Sequence, residues 1–414
     1  MRRDPERSPP EIATRVRRLV DGMRAGGLAL AVCAGLVTAA GAAQTDGLMR
    51  LADAYLEGEV VPFDGAAAYR YFSEAARRGD QAAALRLAEL TLRGIGVERD
   101  VDGAMTEIRR LADEGSNSAL ISLGDAYVRA LAGTFDPAAS RSAWETAAAN
   151  GRTDAMLRLA DYHRYGILAP ADPARAYDYL KAAYEGGNTY ALYLMGRGLT
   201  EKDFGPAGTP AEGIAMLEDA RARGIADAEL TLAISRIAGS GVKADPKQGL
   251  ADLEAMSAAG NLEATLRLVD IYREGFRVDR RMVIRANTKK AREILGAVSP
   301  RLNIGERTRQ EILMKVAENR SQRYEGLPED LGRISPYDRP GTLRRILRIN
   351  ENAFVLYVQA RLTDFGYYQG RIDGQLTGAT IRAVNAYCGA IDAGSFCADG
   401  PLSSRGAYVL SNTL

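Results

Sequence analysis

The chain holds one histidine, His163, among 414 residues, and three cysteines, Cys33, Cys388 and Cys397. That count excludes a metal centre built from a His/Cys cluster. Ser-His-Asp or Cys-His catalysis would have to use His163, and no motif surrounds it. No segment reads GxxxxGK[ST], so the glycine-rich turns are not phosphate loops. Neither sign of charge dominates: 54 Lys and Arg stand against 53 Asp and Glu, which argues against a general nucleic-acid binder. Proline is modest at 15, which speaks against a mainly disordered chain. Carboxylates are plentiful, but no spacing singles out a catalytic pair. No cofactor is expected.

An apolar run near the N-terminus, "GGLALAVCAGLVTAAGAAQ" (Gly26–Gln44), ends in small residues. Ala40-Gly41-Ala42 or Gly41-Ala42-Ala43 would suit signal peptidase, and its Gly and Ala content weakens it as a permanent membrane span. Residues 1–43 therefore read as a signal peptide, with Met23 as the start that gives a compact basic lead. The expected location is the periplasm. A retained N-terminal anchor is the alternative; lipidation at Cys33 is disfavoured by the large Val32 before it. Without this segment the chain carries forty-seven basic and forty-nine acidic residues, a net charge of about −2. Cys388 and Cys397, nine apart in a glycine-rich loop, then read as a disulfide, and as two free thiols if the chain is cytosolic.

What the sequence does have is a beat. A small residue followed four later by Leu or Met recurs at Gly47, Ala83, Ala119, Ala155, Ala191, Ala228 and Ala264, at spacings of 36, 36, 36, 36, 37 and 36. Gly79, Gly115, Gly151, Gly187, Gly224 and Gly260 keep the same phase, as do Asp64, Asp100, Asp136, Asp172, Thr209 and Asp245. A period in this range means a solenoid of stacked units, because one helix pair cannot bury its own apolar stripe. Asp-Pro and Thr-Pro start a helix, the side chain capping free N–H groups and the proline losing no bond at the first position. Glycine stops it. "VRALAGTF" and "EKDFGPAGTP" break the pattern, and in the last unit Asp279 stands ahead of the beat.

These motifs resemble Sel1-like repeats, relatives of the tetratricopeptide repeat, over roughly Gly47 to Gly296. The resemblance implies an all-α protein, a right-handed α-solenoid of helix–turn–helix repeats at 44–300, whose concave face binds protein partners. A further helix is expected at 301–326. "LPEDLGRISPYDRPGT", with Pro328, Pro336 and Pro340, reads as an extended linker over 327–350. Between repeats and linker, basic residues accumulate. Arg277, Arg280, Arg281, Arg285, Lys289 and Lys290 form either a solvated helix face or a patch for an anionic polymer or acidic partner.

The last stretch, 351–414, differs in design. Val355, Val358 and Leu362 share one helix face; Asp373-Gly374 makes a turn; a second helix begins at Thr377, with Ile381 and Val384 facing inward. "VQARL", "GYYQGRIDG" and "TGATIRAVNAY" resemble the small three-helix peptidoglycan-binding module of bacterial envelope proteins. In that resemblance Thr380 ties the turn to the second helix, and Tyr367, Tyr368, Gln369, Arg371 and Arg382 form the surface for glycan. Tyr387-Cys388 departs from the family's aromatic-Gln pair. The expectation is a periplasmic, non-enzymatic scaffold that binds envelope or membrane proteins through the solenoid and peptidoglycan or an exopolysaccharide through the last unit, with no nucleic acid. A regulator of a membrane sensor kinase is the alternative, and a glycan-active enzyme or its activator a third reading.

Overall fold

The computed structural model describes residues 35–58, 60–166, 170–319, 324 and 326–414 and, Tyr165 apart, side chains from Thr45 on. Met23, Cys33 and the N-terminal part of the expected signal peptide lie outside the described residues. Its C-terminal part, from Gly35, is the beginning of the first helix, Gly35–Glu57.

The repeats are α1 (Gly35–Glu57), α2 (Gly65–Arg77), α3 (Gln81–Arg93), α4 (Val101–Asp113), α5 (Asn117–Val128), α6 (Pro137–Ala149), α7 (Thr153–Tyr165), α8 (Pro173–Glu185), α9 (Tyr190–Glu201), α10 (Pro210–Ala222), α11 (Ala226–Ala238), α12 (Pro246–Ala258) and α13 (Leu262–Glu274). The 36-residue beat is the beat of their caps. Asp64, Asp100, Asp136, Asp172, Thr209 and Asp245 each accept the N–H three residues on, at 2.9–3.2 Å. The glycines of the second marker all take φ between +83° and +93°, a conformation other residues reach only with strain. Ala83, Ala119, Ala155, Ala191, Ala228 and Ala264 are wholly buried, where small size lets neighbouring helices close on each other. Together these features make an all-α solenoid.

The units that break the pattern do so structurally. Ala130 (φ +51°) and Lys202 (φ +63°) stand in the left-handed turn that glycine occupies elsewhere. After α13 the chain forms a hairpin, β1 (Phe276–Val278) against β2 (Arg281–Ile284), and α14 (Thr288–Val298) is capped by Asn287, which accepts the Lys290 N–H at 3.0 Å. Asp279 sits in the hairpin turn at φ +47° and caps nothing. The six inserted residues that build the hairpin explain the lost phase.

Beyond α15 (Ile304–Glu318) the expectation of an extended linker is overturned. Residues 327–350 hold two helices, α16 (Leu327–Gly332) and α17 (Arg339–Ile349). Pro328 and Pro340 lie in their first turns, where proline starts a helix instead of breaking one. Leu327, Leu331, Ile334, Leu343, Ile346 and Ile349 are buried in the same core as α5, α6 and α7. The final unit comprises α18 (Glu351–Asp364), α19 (Gly378–Ala390), the short α20 (Gly394–Cys397) and α21 (Ser404–Thr413).

This unit docks on the third repeat. The Phe135 N–H donates to the Ile391 carbonyl at 2.8 Å, and the Phe135 and Phe396 rings meet edge to face at 4.8 Å. Arg405 reaches the Gly166 carbonyl at 3.3 Å. Phe135 belongs to "VRALAGTF", so the turn that departs from the repeat pattern is the one that receives the C-terminal unit. The solenoid's inner face is thus partly covered by its own chain.

Candidate functional site: the groove between solenoid and C-terminal arm

The solenoid geometry places residues 36 apart at equivalent positions on successive inner helices. Asp53, Glu89, Asp125 and Asp161 form one such row, on α1, α3, α5 and α7. Its members bridge neighbouring repeats: Arg158 holds Asp125 through two hydrogen bonds of 2.9 and 3.1 Å, and the Ser122 hydroxyl donates to Glu89 at 2.5 Å. Arg86 reaches Glu89 at 3.1 Å and Asp53 at 3.8 Å. A second row, Arg93 and Arg129, ends α3 and caps α5, where a cation suits the helix dipole.

Helix α17 lies across this face with four arginines. Arg345 pairs with Asp270 of α13, and Glu274 lies 3.5 Å from it. Arg273, fully buried, is held by Asp270 at 2.6 Å, Glu274 at 2.8 Å and Gln310 of α15 at 2.8 Å. A buried guanidinium is tolerated where carboxylates meet its charge, as Asp270 and Glu274 do. Burial pushes Asp270 up, but Arg345 and Arg273 outweigh it and hold the carboxyl below its ordinary range.

What α17 and the last unit leave open is a series of clefts. One of about 770 Å³ runs between α3, the α5–α6 turn and the C-terminal unit; its walls include Arg93, Arg99, Arg129, Arg339 and Arg361 and no carboxylate side chain. A second of about 730 Å³ lies between α5, α7, α17 and α21, with Asp125 and Asp161 facing Arg344 and Arg348. A third of about 250 Å³ joins them, and Arg129 is on the wall of all three. The arrangement can hold an extended charged ligand by ion pairs.

The expected glycan surface is divided by the fold. Tyr367, Gln369, Arg371 and Arg382 are exposed. Tyr368 is not: it is buried, its hydroxyl donates to the Arg371 carbonyl at 3.0 Å and receives Gln359 at 3.3 Å, so it belongs to the core. Ile381, expected inward, is 38% exposed, because the inward stripe of α19 runs through Thr380, Ala383, Val384 and Tyr387. Gln359 of "VQARL" carries the role the turn needs. Its Oε1 accepts the N–H groups of Asp373 and Gly374 at 3.0 and 2.8 Å, and its Nε2 donates to the Gln375 carbonyl and the Thr380 hydroxyl, each at 3.0 Å. Cys388 and Cys397 are bonded, their Cα atoms 6.4 Å apart, at the foot of the loop bearing Phe396.

The basic segment is a hairpin and the helix after it, in place of a continuous helix face. Arg277, Arg280, Arg281, Arg285 and Lys289 are exposed, whereas Lys290 is taken up by the Tyr272 hydroxyl at 2.7 Å and Glu254 at 3.2 Å. His163 is buried, stacked on Tyr179 at 5.7 Å, and burial, with Arg175 nearby, holds its pKa below the ordinary value. Sequence reasoning missed the inner carboxylate row and Gln359. The row was visible as a further 36-residue marker among many charges; Gln359 carried no signal beyond being a polar residue on an apolar helix.

Among the described residues no helix is long and apolar enough to cross a membrane. The Sel1 repeat family matches residues 45–80, 81–105 and 153–188. The crystal structure of a Sel1 repeat protein from Oxalobacter formigenes is 20% identical, covering 56% of this chain and 93% of its own, with a TM-score of 0.39. A protective antigen displaying an SLR fold, present in uropathogenic Escherichia coli strains, is also 20% identical, covering 81% of this chain and 74% of its own, with a TM-score of 0.30. No curated protein matches. Three stretches of the chain match the Sel1 repeat, and α3 and α7, which lie within them, line this groove.

Proposed function

We propose that the protein is a periplasmic, non-enzymatic scaffold that engages an envelope or membrane protein through the solenoid groove and associates with the cell wall through its C-terminal unit, in envelope assembly or exopolysaccharide export. Sel1-repeat proteins in general mediate protein–protein contacts, and the charged inner rows at 36-residue spacing are the surface such contacts need. The observation that carries the reading is the seating of α17: the groove holds a basic helix through Arg345 and Asp270 yet keeps two clefts of about 770 and 730 Å³ open beside it. The signal-like N-terminus and the Cys388–Cys397 bond support an oxidising compartment.

Cross-linked envelope is the place to test it. The tagged chain should recover a defined envelope partner, and exchanging Asp125 and Arg158 on the inner row should reduce that recovery while leaving the helix content unchanged. Sedimentation with purified sacculi tests wall association: the chain should pellet, and Arg371→Ala with Arg382→Ala should keep it in the supernatant. N-terminal sequencing of a periplasmic fraction should begin after Ala42 or Ala43.

A further inference from the structure

The cations of the groove do not balance. Asp125 is committed to Arg158, and Glu89 to Arg86 and Ser122. Asp270 and Glu274 are committed to Arg273 and Arg345. Left over are Arg93, Arg129, Arg344 and Arg348, none of which has a carboxylate at ion-pair distance among the described residues; Asp161, the one other carboxylate side chain on the wall of the second cleft, offsets only part of the three arginines there. Arg93 rests on the Tyr337 ring at 4.8 Å and Arg344 on the Tyr408 ring at 5.7 Å. The Arg344 Nη1 is buried without a hydrogen bond. Burial first, and the neighbouring cations next, hold both Arg93 and Arg344 below their ordinary values: Arg129 acts on each, and Arg348 on Arg344. A protein gathers like charges around one cavity at a cost in repulsion and desolvation, and an anion removes both.

The cations are also strung out. Arg93 and Arg129 share the wall of the larger cleft, and Arg129, Arg344 and Arg348 that of the next, so a ligand meeting all four must be extended and carry several negative groups. Beside them the larger cleft exposes two aromatic rings, of which Phe365 already carries the Arg361 guanidinium 4.9 Å from its centre. Phe365 is 44% and Tyr367 38% exposed, and Phe365 lies parallel to Tyr387 at 6.0 Å. A volume of about 770 Å³ is that of a ligand site. Planar guanidiniums match carboxylates with two parallel hydrogen bonds, and exposed aromatic faces suit the flat side of a sugar ring.

We propose that the groove binds an acidic glycan strand, with uronate-type carboxylates on Arg93, Arg129, Arg344 and Arg348 and a sugar ring against Tyr367. This rests on the groove being the working surface, but not on wall binding, since its cations come from α3, α5 and α17 and not from Arg371 or Arg382. It places the anionic part of the glycan away from Arg371 and Arg382, with Tyr367 alone common to the groove and the exposed face of the last unit.

The test is titration calorimetry of the full chain with oligomers of polygalacturonate, neutral dextran and poly-glutamate at low salt. Polygalacturonate should bind, dextran should not, and poly-glutamate should bind more weakly because it has no ring to stack. Arg129→Gln and Arg93→Gln should each weaken polygalacturonate binding roughly tenfold. Arg348→Gln, at an exposed position that folding tolerates, should weaken it too, and raised salt should screen it. Arg371→Ala with Arg382→Ala should leave it unchanged. No binding, equal binding of dextran, poly-glutamate binding as tightly, or indifference to all three groove variants would each overturn the proposal. A chain that ignores polygalacturonate but still captures its envelope partner sinks this inference and spares the scaffold reading.

Discussion

Arg345 of α17 forms an ion pair with Asp270 of α13, and this contact ties the C-terminal arm to the last of the repeats, as Phe135 ties it to the third. Asp270 also holds the fully buried Arg273. Asp270→Asn would leave two guanidiniums short of an anion in a largely dry site. It should cost about 2–4 kcal/mol in urea unfolding, near the figure for breaking a buried pair. Hydrogen exchange in α17 should rise more than in α3, since only α17 loses an anchor.

The same pair sets a pH dependence. Asp270 is held below its ordinary value, so its contribution to stability is present above about pH 4, the unfolded value, and is lost as pH falls through the lower folded value. Stability of the native chain should therefore fall below about pH 4 more steeply than that of Asp270→Asn. Parallel urea titrations of the two proteins across that range check the sign.

His163 works in the opposite chemical sense. It is a base held below its ordinary value by burial, so the unfolded chain takes up a proton that the folded chain resists. Stability should rise with pH through about 6.5 and fall on the acid side. His163→Phe keeps the stack on Tyr179 and removes the titrating group, so its thermal midpoint should change less than the native one between about pH 7 and pH 5. Circular dichroism melts at the two values measure this.

Gln359 supports the turn that precedes α19 from underneath. Gln359→Ala would strand the N–H groups of Asp373 and Gly374, at about 1–3 kcal/mol for each buried unpaired group. Gln359→Glu keeps the acceptor but cannot donate to the Gln375 carbonyl and Thr380 when ionised. Both variants should lower the melting temperature, and the Gly374 amide should lose exchange protection in each.

Much of this fold was legible because repetition multiplies weak signals. One Asp before one proline says little, but six caps in phase, each of which accepts the N–H three residues on, define the helices almost to the residue. The failures cluster where the chain meets itself. Pro328 and Pro340 looked like breakers because their apolar neighbours had no visible partner; the third repeat supplies it. Tyr368 looked like a surface ring until Gln359 and the Arg371 carbonyl claimed its hydroxyl. Ala130 looked like a lapse in the glycine pattern and stands in the turn that leads into Phe135.

By itself the sequence determined the repeat length, the capped helix pairs and the positions spaced to line one face, since these follow from local hydrogen bonding and periodic burial within some forty residues. It also marked the last unit as a different design. Only the tertiary structure decided that this unit turns back onto the solenoid, that α17 lies in the groove, and that Arg93, Arg129, Arg344 and Arg348 share its walls. Those residues are separated by up to 255 positions, from Arg93 to Arg348, and no local pattern records which of them a closing chain will bring together.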